Sequence, residues 1–126
     1  TFQGDNVKIS EVSDKTNISI HTLRYYEKEG LLLNIQRDSS GQRTFDHADL
    51  EWLTWIKRLK STGMPLAEIK KFAKLRLAGS ETLRDRQQLL LTHKDKLKQE
   101  IARLSGELEI VQYKIDAYEE KILDLE

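Results

Sequence analysis

Apolar positions recur along the chain with two different rhythms. Over the first 80 residues they come in short bursts separated by turn residues. Ile9 and Val12 bracket a helical pattern of about two turns, which is predicted to start with Ser10 as its N-cap and to reach Asn17, a residue that tolerates a left-handed cap. Ser19 then caps a second helix, with Ile18 before the cap and Leu23 one turn inside it at the hydrophobic-staple spacing. This helix is expected to run through Tyr26 to about Glu29 and to stop at Gly30, so the two short helices read as a helix-turn-helix. Apolar residues at 31–33 and 35, the turn Ser39-Ser40-Gly41, and then Arg43 and Phe45 suit a small hairpin. Asp46 caps a third helix, with Phe45 and Leu50 at staple spacing and Leu53, Ile56 and Leu59 on its inner face, ending at Thr62-Gly63. Met64 and Pro65 start a fourth, whose core stripe includes Leu66, Ile69, Phe72 and Ala73, and Ala78-Gly79-Ser80 reads as a linker.

From residue 81 the rhythm changes. Leu97, Ile101, Leu104, Leu108, Val111, Ile115, Tyr118 and Ile122 alternate by four and three, a sustained heptad seam. One row extends through Leu83, Leu90 and Leu125, while the other is interrupted by Gln87 and Lys94, so the first two heptads are better suited to packing on the preceding helices, in this chain or in a second one. A continuous helix from Leu83 to Leu125 would measure roughly 64 Å, far more than a small domain needs, and its seam calls for a partner helix.

Composition adds limits to this outline. Residues 1–80 carry 13 Lys+Arg against 10 Asp+Glu, and residues 81–126 carry 8 against 11, so the net charge of zero is a mildly basic part joined to a mildly acidic one. A basic surplus of three permits a nucleic-acid partner without requiring it. There is no cysteine, which removes disulfides, thiolate metal sites and thiol redox chemistry. No apolar run reaches the length of a membrane span and no signal peptide is evident, so a soluble cytoplasmic protein without membrane association is expected. The chain begins with Thr1, and residues 1–5 are assigned no function. His21, His47 and His93 lack the companions of a metal site or a nucleophile, and no Gly-rich phosphate loop occurs; neither an enzyme, a metal nor a cofactor is implied.

Four stretches together carry a family likeness. HTLRYYEKEGLL, RDSSGQRTFDHADLEWL and IKRLKSTGMPLAEIKKF, closed by the long heptad helix, resemble the MerR family of bacterial transcription regulators over nearly the whole chain. The resemblance implies a mainly α fold: a winged helix-turn-helix DNA-binding domain over 1–77, a linker at 78–80, and a coiled-coil dimerisation helix over 81–126 that pairs antiparallel with its twin. It implies a homodimer that binds double-stranded DNA at a promoter inverted repeat and bends and untwists it. It also admits RNA polymerase at the promoter and a small-molecule effector as further partners. Three positions depart from the family pattern: Gln42 replaces the hairpin tyrosine, Pro65 the usual Ser or Thr cap, and Asn17 the glycine between the first helices. The stretch LEWLTWIKRLKSTGMPL is most similar to the branch that senses aldehydes and electrophilic or nitrosative stress through one cysteine. Arg58 stands at that position, so the thiol chemistry does not carry over.

Candidate site residues follow from both readings. Arg24 and Tyr25 are expected to contact phosphates, one with a rigid fork of donors and the other with a hydroxyl on a stiff ring, whereas Tyr26 should pack inward. Ser19, His21 and Thr22 occupy the first turn of the second helix, from which a recognition helix reaches base edges; simple capping is the competing role, above all for Ser19. Thr16 can bind a phosphate or close a local turn. Arg37 and Arg43 flank the hairpin turn, within reach of the DNA backbone or the minor groove, and Gln42 lies between them. In the basic run Lys57-Arg58-Lys60, family position favours Lys60 as a phosphate contact, against a solvated face. Trp52, Trp55, Phe72 and Tyr113 are assigned to core packing ahead of an effector pocket. The rival to a DNA-binding regulator is a protein-interaction module that docks a partner on its long helix.

Overall fold

The computed structural model describes residues 6–126, and the five before them, to which the sequence assigns no function, lie outside the described residues. The elements are β1 (Val7–Lys8), α1 (Ile9–Thr16), α2 (Ile20–Lys28), β2 (Gln36–Arg37), β3 (Arg43–Phe45), α3 (His47–Ser61), α4 (Leu66–Ala78), a 3₁₀ turn (Ser80–Thr82) and α5 (Leu83–Leu125). They form two compact units, one reaching to Leu89 and the other comprising Leu90–Glu126.

In the first unit the short amphipathic helices close over one core. Val12, Leu23, Leu31, Phe45, Leu53, Ile56 and Ile69 are its fully enclosed side chains, contributed by α1 to α4, the segment after α2 and the hairpin. The sheet is antiparallel in the order β1-β3-β2, with Val7 opposite Phe45 and Lys8 opposite Thr44 on one side, and Gln36 opposite Thr44 and Arg37 opposite Arg43 on the other. Strand β1 is not apparent from the sequence pattern, because two residues are too few to display an alternation. It also corrects the expected start of α1. The chain passes directly from β1 into the helix, so Lys8 occupies the N-cap position without a side-chain capping bond and Ser10 lies inside the first turn. Leu31 and Leu32 are buried in the core rather than paired in a strand, and the hairpin is confined to residues 36–45.

The expectation of aromatic core packing divides. The indole Nε1 of Trp52 donates to the Leu31 carbonyl at 2.7 Å, and the ring stacks on Phe72 with centroids 5.5 Å apart. Trp55 and Tyr113, by contrast, are 54% and 74% exposed, so core packing within the chain does not account for them. The buried stripe of α3 runs through Trp52, Leu53, Ile56 and Leu59, and Trp55 falls past its edge.

Helix ends follow local chemistry. Asn17 adopts φ 59°, and its N–H donates to the Ser13 carbonyl. Gly30 ends α2 at φ +84°, where the Leu31 N–H reaches the Tyr26 carbonyl at 2.8 Å and the Gly30 N–H reaches that of Glu27, a Schellman closure that turns the chain into the core. Asp46 and Asp49 form a reciprocal capping box at the start of α3. Pro65 precedes α4 at its N-cap, with Leu66 as the first helical residue. Between α4 and α5, the Thr82 hydroxyl donates to the Leu75 carbonyl, and Arg86 donates to the Gly79 carbonyl at 2.9 Å and to the Thr82 hydroxyl at 3.1 Å. The first compact unit continues beyond this break into α5.

Helix α5 is 43 residues long. Along it Ile101, Leu104, Leu108, Val111, Ile115, Tyr118 and Ile122 are each at least 50% exposed in the single chain, and Leu97 is half-buried.

Candidate nucleic-acid interface

Helix α2 sorts its side chains cleanly. Leu23 and Tyr26 face the core, while His21, Arg24 and Tyr25 face solvent. Ser19 accepts the Thr22 N–H at 3.1 Å through its hydroxyl oxygen and donates to the Thr22 hydroxyl at 2.9 Å. Capping therefore engages Ser19, and the Thr22 hydroxyl is oriented at the open first turn of the helix. Thr16 closes a local turn, donating to the Val12 carbonyl at 2.7 Å.

Beside Tyr26 lies a hollow of about 300 Å³ between the helix-turn-helix and α3, lined by Asn17, Ser19, Thr22, Tyr26, Lys57 and Lys60. The Lys60 ammonium sits 5.2 Å from the Tyr26 ring centroid and within hydrogen-bonding distance of its hydroxyl, at 3.2 Å. Lys57 donates to the Thr16 carbonyl at 2.9 Å. Both ammonium groups are thereby placed at the turn between α1 and α2, presenting two cations and the Ser19 and Thr22 hydroxyls on one concave surface suited to anionic oxygens. The sequence names Lys57 only as a member of the basic run on α3, in which family position favours Lys60.

The hairpin is held in place by charge. The Arg43 guanidinium pairs with Glu27 of α2 at 2.5 Å, and Arg37 lies 4.0 Å from the same carboxylate while donating to the Gly41 carbonyl. Nothing in the sequence pattern picks out Glu27, the last letter of RYYE, yet it attaches the wing to the recognition helix. Arg43 is the more enclosed of the two arginines, and Arg37 keeps half of its side chain in solvent. Asp38 organises the turn: its carboxylate accepts the N–H groups of Ser40 and Gln42 and pairs with Lys8 of β1, and these donors, Lys8 foremost, hold it well below the usual carboxylate range. Gln42 is exposed next to the turn. Among the described residues no cluster of His, Asp or Glu could hold a metal ion, and no helix is long and apolar enough to cross a membrane.

The chain is similar to known proteins. The family model of MerR HTH regulatory proteins matches residues 7–75, and that of the MerR DNA-binding region matches 50–106. An uncharacterised HTH-type transcriptional regulator of Haemophilus influenzae is 40% identical over 110 residues, 87% of this chain and 82% of its own length. The crystal structure of HiNmlR, a MerR family regulator lacking the sensor domain and bound to promoter DNA, is 38% identical with a TM-score of 0.75, covering 91% of each chain. A MerR family transcriptional regulator from Bacillus thuringiensis is 33% identical with a TM-score of 0.72, covering 87% of this chain and 96% of its own. With two family models tiling residues 7–106, and a recognition helix, wing and long α5 in the matching order, the chain belongs to the MerR family of helix-turn-helix transcription regulators.

Proposed function

We propose that this regulator acts as a homodimer on an inverted-repeat operator, with α2 in the major groove of each half-site and the wing at its outer flank. The exposed face of α2 carries this reading, since His21, Thr22, Arg24 and Tyr25 present donors to solvent from a helix whose other side is locked in the core. Arg24, Tyr25, Lys57, Lys60 and Arg37 bind phosphates; His21 and Thr22 read bases; Ser19 and Thr16 are occupied with local bonds; Gln42 and Arg43 shape the wing. The seam from Leu97 to Ile122 pairs with its copy, which covers side chains that a single chain leaves in water. Bending and untwisting of a promoter, and contact with RNA polymerase there, are the actions the family membership suggests. Binding, not catalysis, is the activity, exerted where the chromosome is, in the cytoplasm.

The test is selection of bound fragments from random duplex DNA. Recovery of an inverted repeat supports the proposal, and recovery of no common sequence rejects it.

A further inference from the structure

In the first unit a pocket of about 190 Å³ opens between α3, α4 and the segment after Gly30. Leu31, Leu33, Ala73 and Leu77 form apolar walls, and Asp49, Trp52 and Arg76 supply the rest. The indole N–H of Trp52 is already used on the Leu31 carbonyl, so the ring offers only its face. Arg76 lies on that face, 4.6 Å from the ring centroid, and is half-buried. Its guanidinium forms no ion pair with any carboxylate of the described residues, although burial disfavours its charge. A stacked guanidinium keeps its N–H edge free for a planar, two-pronged partner.

We propose that this pocket binds a small organic carboxylate with an apolar body, its carboxylate paired with the Arg76 edge and its body against Leu31, Leu33 and Leu77. The volume suits a molecule the size of benzoate. Asp49, in the same lining, opposes an anion only when it is ionised. Burial raises its carboxyl to about 6, with the Asp46 N–H and Arg76 of α4 favouring ionisation and the Asp46 carboxyl opposing it, so Asp49 is mostly neutral at about pH 5 and mostly ionised at about pH 7. Glu51 and Arg86 also act on Arg76 from α3 and α5, with opposite signs. This site goes beyond the DNA-binding proposal and does not depend on it.

The experiment is calorimetric titration of the full chain, at about pH 5 where Asp49 is mostly protonated and benzoate is still mostly ionised, with benzoate and with benzamide, its uncharged counterpart of the same shape. Saturable benzoate binding is expected, with benzamide at least about tenfold weaker, because only the ionised group pairs with both donors. Arg76→Met keeps a side chain suited to the Trp52 face but removes the donors, and should weaken benzoate at least about tenfold. Leu77→Trp fills the pocket from its exposed rim and should also abolish binding. Lack of saturable benzoate binding, equal affinity for benzamide, or unchanged benzoate affinity in a folded Arg76→Met protein would overturn the proposal. If Arg76→Met fails to fold, unchanged affinity in Leu77→Trp would do so.

Discussion

The division of labour on α2 predicts two different losses. Arg24 is exposed and makes no bond that holds the fold, so Arg24→Ala should weaken binding to matched and shuffled operators alike and reduce the salt slope by about one for each phosphate it no longer neutralises. Thr22→Ala or His21→Ala should instead change which base is tolerated, by about 1–3 kcal/mol at a position that is read. Titrations at two salt concentrations distinguish the two; wild-type affinity of Arg24→Ala at both would assign RYY to packing alone. Glu27 belongs to a third class. Glu27→Gln leaves the DNA-facing donors in place but releases Arg43 and Arg37, so binding should weaken through a loosened wing, read as faster hydrogen exchange at residues 36–45.

Element ends carry the next level of stability. Gly30 holds φ +84°, with open space where a Cβ would go, so Gly30→Ala meets no clash and its cost is that of the left-handed backbone, about 1 kcal/mol. Equilibrium denaturation measures it. At the start of α3, burial lifts the Asp49 carboxyl from its ordinary 3.8 to about 6. A raised value means that the fold favours the protonated form. The stabilisation is complete below 3.8 and disappears as pH rises through about 6. Asp49→Asn keeps an acceptor for the Asp46 N–H without the charge. It should therefore melt above wild type at about pH 7.5, with the advantage shrinking as pH falls toward about 4. An advantage independent of pH would assign the effect to something other than this ionisation.

For the molecule as a whole, the exposed seam is the feature a single chain leaves unexplained. Sedimentation should find a dimer, and Leu104→Lys or Leu108→Lys should shift it toward monomer by placing a charge in each copy of an apolar seam. Since each dimer presents two recognition helices, operator affinity should fall as dimerisation is lost, even though α2 is untouched. A monomer that keeps wild-type operator affinity would contradict the proposed assembly.

Local rules decided much of this protein from the sequence alone. The left-handed Asn17, the Ser19 and Asp46 caps, the Gly30 and Gly63 stops and the inward Tyr26 depend on neighbours within about one helical turn, and the sequence places those neighbours. The heptad seam is equally local, a repeat along one helix. Pairings between distant segments were decided only by the tertiary structure. Strand β1 is visible only through its partner Phe45, Glu27 finds Arg43 sixteen residues away, and Lys57 reaches Thr16 across 41 residues. Trp52 and Trp55 look alike in the chain, yet one is stacked and bonded in the core and the other stands in solvent. A side chain's helical phase restricts where it can point, but its burial depends on what the rest of the fold brings against that face, and that is why the Arg76 pocket appears only once α3, α4 and the segment after Gly30 come together.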